Sequence, residues 1–156
     1  MDIIKPPTKL PSVYMLRKSL FLAGSIEMGV AVDWQTKVQN ELQDLEGTIF
    51  NPRRNDWDSS WTQSIKNPQF VEQVNWEMDA LNMAETIMVY FDPNTKSPIT
   101  LFELGYHIHS GKVILCCPDG FWRKGNIEIY ADRERINLYN TLDEVISAYR
   151  SFYKIL

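Results

Sequence analysis

Two glutamates have surroundings that suit acid–base or nucleophilic chemistry. Glu77 follows Val74 by three residues and precedes Leu81 by four, so helical spacing places its carboxyl group on the apolar side of a predicted helix. Burial of this kind raises the pKa of a carboxyl group. Glu103 lies five residues after Pro98, within the motif FELGY, near the start of a second predicted helix. A helix N-terminus helps a carboxylate to stay ionised, although the effect fades beyond the first turn, and an ionised, partly buried glutamate suits nucleophilic attack.

Both glutamates also have a structural interpretation. Glu77 could extend past the edge of the apolar side and reach water, as long charged side chains do. Glu103 could form an ion pair with a lysine or an arginine. The residues alone leave the catalytic and the structural interpretations open.

A turn after the first predicted strand is a candidate ligand contact. Gly24 and Ser25 begin the segment GSIEMG, whose backbone amides could face a ligand. The segment lacks the glycine patterns of nucleotide-binding loops, and Glu27 would repel a phosphate group. We therefore expect a tight turn that faces a ligand and does not bind a nucleotide phosphate chain.

An aromatic loop is a second candidate contact. Trp57 and Trp61 stand among arginines and aspartates, including Asp56, in the segment NPRRNDWDSSW. Exposed aromatic rings with polar neighbours suit stacking on a flat base. The alternative is a tryptophan pair that closes an edge of the core.

The remaining composition narrows the class of protein. The chain has 156 residues and a net charge of −4, which fits a single domain over residues 1–156 and disfavours a nucleic-acid binder. No apolar run approaches the roughly 20 residues that span a bilayer. Cys116 and Cys117 are neighbours, which excludes a disulfide framework and favours a reducing cytoplasm. His107 and His109 diverge on a helix, so we expect no metal site.

Short apolar runs alternate with helical spacing along the chain. Residues 1–18 read as a loose lead-in, and residues 118–134 as a loop. The predicted strands cover residues 20–23, 48–50, 86–91, 113–117 and 135–139. Helices are predicted to begin at Asp33, at Pro98 with Ser97 as the N-cap, and at Thr141. Another helix is predicted before the third strand, where helical spacing gives an apolar side of Phe70, Val74, Met78 and Leu81.

These elements predict an α/β fold, a three-layer sandwich with a mainly parallel, flavodoxin-like (Rossmann-like) sheet of five strands. Ligands in such sheets bind beyond the carboxyl ends of the strands. Four segments lie there, at residues 24–29, 51–61, 92–103 and 118–126.

From residue 20 to about residue 129 the sequence resembles the nucleoside 2-deoxyribosyltransferase family. The resemblance rests on FELGY, the SGK turn at residues 110–112, the apolar strand that follows and a downstream asparagine. It implies that Glu103 is the nucleophile and that Glu77 takes the place of a second acid, which is usually an aspartate. A further family acid, six residues before the nucleophile, is Ser97 here, and Asp92 is the nearest substitute.

The resemblance also implies a substrate site and an activity. Asn126 looks like an asparagine that a neighbouring subunit contributes, so a homo-oligomer is expected, and Asp56 matches a polar residue of the site. The implied reaction transfers 2-deoxyribose between nucleobases by double displacement, from a 2′-deoxynucleoside to a free nucleobase, with no cofactor.

Two alternatives remain open. One is an N-glycoside hydrolase that acts on nucleosides or nucleoside monophosphates with the same nucleophile. A sister group of that kind holds phosphate with a serine and an arginine in the first loop; Ser25 is present, but Glu27 takes the arginine's place, which favours a free nucleoside. The other is a nucleotide-binding module without catalytic activity.

Overall fold

The computed structural model describes residues 1–26 and 31–154. Its strands are β1 (Asp2–Ile4), β2 (Leu16–Gly24), β3 (Thr48–Phe50), β4 (Ala84–Tyr90), β5 (Val113–Cys116) and β6 (Leu138–Tyr139). Its helices are α1 (Trp34–Glu41), α2 (Pro68–Met83), α3 (Pro98–His107), α4 (Lys124–Arg133) and α5 (Leu142–Tyr153).

All six strands belong to one parallel sheet with the order β1-β3-β2-β4-β5-β6. Without β1, this is the flavodoxin-like order that the sequence predicts. Neighbouring residues of β2 face opposite layers: Phe21 packs with α2, α3 and α4, and Leu20 packs with α1 and α5. Helices thus cover both faces of the sheet, which explains why its strands lack alternating polar residues. The predicted three-layer sandwich is confirmed.

The prediction that residues 1–18 form a loose lead-in is wrong. Strand β1 pairs in parallel with β3, with Ile3 opposite Ile49, and it makes the sheet six-stranded instead of five-stranded. The amide of Asp2 donates a hydrogen bond to the carbonyl of Gly47 at 2.8 Å. A three-residue edge strand is too short to show a period in the sequence, so its pairing with β3 decides its conformation.

The predicted loop at residues 118–134 contains helix α4. Ile127 and Ala131, four residues apart, are buried against the same core as α2 and α3. The start of this helix has no side-chain cap hydrogen bond, and Gly125 lies in its first turn. These features hide the helix in the sequence, because the usual signals of a helix start are missing.

Helix α2 is rotated from the predicted apolar side. Met78, which the helical spacing predicts on that side, is 51% exposed. The side chains that the helix buries are Gln73, Trp76, Ala80, Leu81 and Met83. Trp76 decides this orientation, because its ring packs edge-on against Phe50 and its indole N–H donates to the carbonyl of Thr8 at 2.8 Å. The rotation turns Gln73 inward, beside Glu77.

The described helices include none that combines the length and the apolar character needed to cross a bilayer.

We expect Gly24→Ala to destabilise the fold. A Cβ at Gly24 would lie 2.5 Å from the carbonyl oxygen of Tyr90 and 2.6 Å from the indole ring of Trp34. Overpacking of this kind costs about 1–3 kcal/mol in the free energy of unfolding, measured by urea denaturation. Gly125→Ala is the control, because a Cβ there meets nothing within 4 Å. Equal stabilities of the two variants would contradict the packing described for Gly24.

Candidate active site

Glu77 of α2 and Glu103 of α3 are both partly buried, on helices that pack against the same core, and the charge of Glu77 acts on Glu103. Burial, followed by the negative charge of Glu77, raises the pKa of Glu103 to about 8. Burial also raises the pKa of Glu77, against an opposing hydrogen bond from Gln73. Two carboxyl groups whose charges affect each other in a water-poor site share protons as a pair, which is a common property of catalytic carboxylates.

The expectation that the start of α3 keeps Glu103 ionised is wrong for the free protein. A pKa of about 8 means that Glu103 carries a proton at neutral pH. Glu103 lies beyond the first turn of α3, where the helix dipole is weak, so burial outweighs it. Among residues 1–26 and 31–154, no lysine or arginine forms an ion pair with Glu103. The structural interpretation of Glu103 as an ion-pair partner is therefore not supported by the described residues.

Gln73 is part of this site, and sequence reasoning missed it. Its side-chain amide nitrogen donates to Glu77 Oε1 at 2.7 Å and to the carbonyl oxygen of Pro52 at 3.0 Å. A signal was present, since Gln73 precedes Glu77 by four residues and such pairs meet on a helix. The rotation of α2, however, cannot be read from the sequence.

Asp92 follows β4 and is 1% exposed. Its carboxylate accepts hydrogen bonds from the amide of Val32 at 3.1 Å, the amide of Asn94 at 2.9 Å and the side chain of Asn94 at 3.1 Å. It thus connects the end of the first βα loop to the loop after β4. The structure places Asp92 as a link between two loops at the carboxyl edge of the sheet.

Ser25 and Ser97 join the same two loops through a buried hydroxyl cluster with Thr95. Ser25 Oγ lies 2.9 Å from Thr95 Oγ1 and accepts from the amide of Asp92 at 3.0 Å, and Thr95 Oγ1 lies 2.7 Å from Ser97 Oγ. Ser97 is the N-cap residue of α3, as predicted, but its side chain makes no cap hydrogen bond. Its hydroxyl bonds within the cluster instead, and its backbone has a positive φ of 46°. Glu27, expected to repel a phosphate group, lies outside the described residues.

The aromatic loop is organised around Arg54, which is buried. Its guanidinium contacts Asp56 at 2.7 Å and Glu72 of α2 at 3.0 Å, and it lies 5.0 Å from the ring centre of Trp61. The same guanidinium lowers the pKa of Asp56. Trp57 contacts Trp61 edge-on, at 5.1 Å between ring centres, and both rings stay partly exposed. The two rings therefore lie outside the core, and the ion pairs of Arg54 hold the loop that carries them.

Asn126 lies in the first turn of α4 and is exposed. Helical spacing puts it on the same side as Ile129 and Tyr130, which are also exposed. A second set of exposed apolar side chains, Ile99, Phe102 and Tyr106, lies on α3. We call these six side chains, Asn126 included, the α3–α4 surface.

No set of three or more His, Cys, Asp or Glu side chains in the described part of the chain could hold a metal ion. Cys116 and Cys117 are free and buried, and burial raises the pKa of each thiol to about 12. Thiols that keep their protons in this way are poor nucleophiles.

The raised pKa of Glu103 predicts a loss of stability with increasing pH. The unfolded chain ionises this group near pH 4.5, but the folded protein holds the proton to about pH 8. Between these values the folded state binds more protons, so the free energy of unfolding falls as pH rises. Relative to Glu103→Gln, the wild-type protein should lose at most on the order of 1.4 kcal/mol per pH unit across this range in urea denaturation.

The control for this measurement is Glu46→Gln, since the side chain of Glu46 is 90% exposed. Its stability should follow that of the wild type across the same pH range. A Glu103→Gln variant that also follows the wild type at every pH would contradict the raised pKa.

Comparison with known proteins adds one finding to this geometry. A family model described as nucleoside 2-deoxyribosyltransferase-like matches residues 17–121. The matched region contains both glutamates, Asp92, Ser97 and the aromatic loop, and it ends before Asn126. No curated protein matches the chain. The family match covers well over half of the sequence and confirms the resemblance carried by FELGY: the chain belongs to the nucleoside 2-deoxyribosyltransferase-like family.

Proposed function

We propose that the protein transfers 2-deoxyribose from a 2′-deoxynucleoside to a free nucleobase, in nucleoside salvage. The proposal is carried by two partly buried glutamates in the matched family region, Glu77 and Glu103, the first of which raises the pKa of the second. One carboxyl group can attack the sugar while the other handles the proton of the base. Family membership supports nucleosides and nucleobases as the substrates.

The proposed reaction has two displacement steps. A carboxylate oxygen of Glu103 attacks C1′ of the sugar, a covalent ester forms, and the bond from C1′ to the base nitrogen breaks with its electron pair on the base. The incoming base then attacks C1′ from the vacated side, the ester bond breaks, and Glu103 leaves as a carboxylate. Two inversions at C1′ give net retention of configuration.

The proton that Glu103 carries in the free protein has a role in this reaction. Glu103 carries a proton in the free protein near neutral pH, so it must lose that proton before it attacks. We propose that Glu77 takes the proton and donates it to the departing base, because burial raises the pKa of Glu77 and makes it a suitable acid. The proton then returns from the incoming base, and the pair ends with the same charge.

We assign proton donation to Glu77 in preference to Asp92. The carboxylate oxygens of Asp92 are held by the three hydrogen bonds from Val32 and Asn94, so contact with a base would break an existing link. Asp92, Ser25 and Ser97 would form the floor of the substrate site by joining the loops after β2 and β4. Gly24 would let Trp34 pack closely beneath that floor.

The aromatic loop would cover the base and the sugar. Trp57 is partly exposed and offers a flat face for stacking. Both carboxylate oxygens of Asp56 accept from Arg54, but its side chain stays 64% exposed, so a polar group of the substrate can approach it, unlike the buried carboxylate of Asp92. Exclusion of water by this loop would protect the covalent intermediate from hydrolysis. The same loop therefore determines how much of the reaction is transfer and how much is hydrolysis. The position of Glu27 in the sequence favours an unphosphorylated nucleoside.

We also propose that a second copy of the chain covers the α3–α4 surface. Phe102 is 72% exposed and lies next to Glu103 in the sequence, so a copy docked there would also close the glutamate site. Asn126 would then reach the site of the neighbouring copy and bind the 5′-hydroxyl of the sugar. The free, buried cysteines suit a reducing compartment, for which we propose the cytoplasm.

The first test is base exchange with thymidine and adenine. We expect deoxyadenosine and thymine as products, and a loss of at least about 10³-fold in the exchange rate for Glu103→Gln, because the nucleophile is removed. Glu46→Gln is the matched control, and chromatography measures the products. Release of free deoxyribose without deoxyadenosine would identify a hydrolase, and binding without turnover would identify a binding module.

The second test asks whether two copies share a site. Glu103→Gln and Asn126→Ala should each be nearly inactive alone, since each removes one component of every site. Mixed and allowed to exchange subunits, they should regain about a quarter of the wild-type activity, because half of the dimers are hybrids and each hybrid has one intact site. Light scattering checks the dimer. A monomeric active protein, or a mixture without regained activity, would contradict the shared site.

A further inference from the structure

Gln73 is a polar side chain in an unusual place. It is 4% exposed and lies on the buried side of α2, one turn before Glu77. Its amide nitrogen has two partners, the carbonyl oxygen of Pro52 at 3.0 Å and Glu77 Oε1 at 2.7 Å. Burial of an amide is costly unless hydrogen bonds compensate for the lost water, so these two contacts account for its presence in the core.

The orientation of the amide is determined by its two partners. A backbone carbonyl oxygen can only accept, so the NH2 group of Gln73 must face Pro52. The other hydrogen of the same group points to Glu77 Oε1. The amide oxygen of Gln73 is left buried without a hydrogen-bond partner among the described residues. The two hydrogen bonds that the amide nitrogen donates offset the cost of burying this oxygen.

We propose that Gln73 is a positioning residue, whose buried amide holds the carboxyl group of Glu77 in place and ties it to the start of the aromatic loop at Pro52. The carbonyl of Pro52 is two residues before Arg54, the anchor of that loop. One side chain thus connects the acid of the pair to the segment that would cover the substrate. Its role in turnover rests on the proposed transferase function, whereas its hold on Glu77 does not.

A donated hydrogen bond favours the ionised form of Glu77 and lowers its pKa, against the effect of burial. The resulting negative charge raises the pKa of Glu103. Gln73 therefore favours the arrangement in which the proton of the pair resides on Glu103 before substrate binds.

In the described part of the chain, neither Arg54 nor His107 is placed to favour the ionised form of Glu77 as Gln73 does. On the loop side, Arg54 is paired with Asp56 and with Glu72 of α2. On α3, His107 lies one turn after Glu103, and burial and the charge of Lys112 lower its pKa, which favours the neutral ring. Among the residues that the structure describes, Glu77 is the charged group that acts on Glu103.

The first experiment uses the unmodified protein. Side-chain amide protons of Gln73 and carboxyl carbons of Glu77 and Glu103 are followed by NMR as pH is varied. If Gln73 holds Glu77, its amide protons should exchange slowly with water and should shift with the same midpoint as the carboxyl carbon of Glu77. Amide protons of Gln73 whose shifts are independent of pH would overturn the proposal.

The second experiment removes the donor at nearly constant volume with Gln73→Met. We expect the pKa of Glu77 to rise and that of Glu103 to fall, each by about 0.5–1 unit. Gln73→Glu, which keeps the length but replaces the donor by an acceptor, should raise the pKa of Glu77 further. Asn75→Met is the matched control, because Asn75 is exposed on the same helix. Unchanged carboxyl titrations in Gln73→Met would overturn the proposal.

The activity of Gln73→Met separates the two proposals. If both hold, kcat should fall by about 10–100-fold with a smaller change in KM, and the pH profile of kcat should shift with the titration of the pair. A shift in the titrations of a protein that never exchanges bases would support the role of Gln73 and refute the transferase. Exchange with a wild-type pH profile in Gln73→Met would refute the role of Gln73 alone.

Discussion

Two partly buried carboxyl groups, with no ion pair to a lysine or arginine among residues 1–26 and 31–154, constrain the rest of this candidate site. Ionising both would place two negative charges in a medium of low polarity, so the pair retains a proton near neutral pH, on Glu103 in the free protein. The fold has to oppose the tendency of such groups to move apart or to reach water. Gln73 counters it on one side by donating a hydrogen bond to Glu77, and the packing of α2 and α3 against one core counters it on the other.

The hydrogen bonds at the carboxyl edge of the sheet provide the rigidity that this pair needs. The loops after β2 and β4 are joined by buried side chains, with Asp92 and Ser25 at the centre, and the loop after β3 is joined to α2 by Arg54 and Gln73. Each link crosses between segments distant in sequence. A site assembled in this way keeps its geometry only while the sheet is intact. The free energy of folding therefore offsets the electrostatic cost of burying the two carboxyl groups.

Long, strongly patterned segments were predictable, and short or weakly signalled ones were not. The central strands and the flavodoxin-like order follow from apolar runs that alternate with helical spacing. Strand β1 and helix α4 were missed, because a three-residue edge strand has no period and α4 has no cap signal. The placement of Glu77 and Glu103 among apolar residues, together with FELGY, predicts that they are site residues. Gln73 was missed, because the burial of a polar side chain depends on the rotation of α2.

The sequence by itself determined the fold class and the family, and it singled out the two glutamates as candidate site residues, because these depend on local periodicity and on a contiguous motif. Only the tertiary structure decided how the proton of the pair is distributed. The pKa of Glu103 depends on its removal from water and on the charge of Glu77, a residue of another helix, and neither quantity is local in sequence. The tertiary structure also decides the partner of the Ser97 hydroxyl, which bonds to Ser25 and makes no hydrogen bond to the start of α3. The local spacing of apolar residues determines the helices and strands, and the burial of side chains in the folded protein determines their protonation.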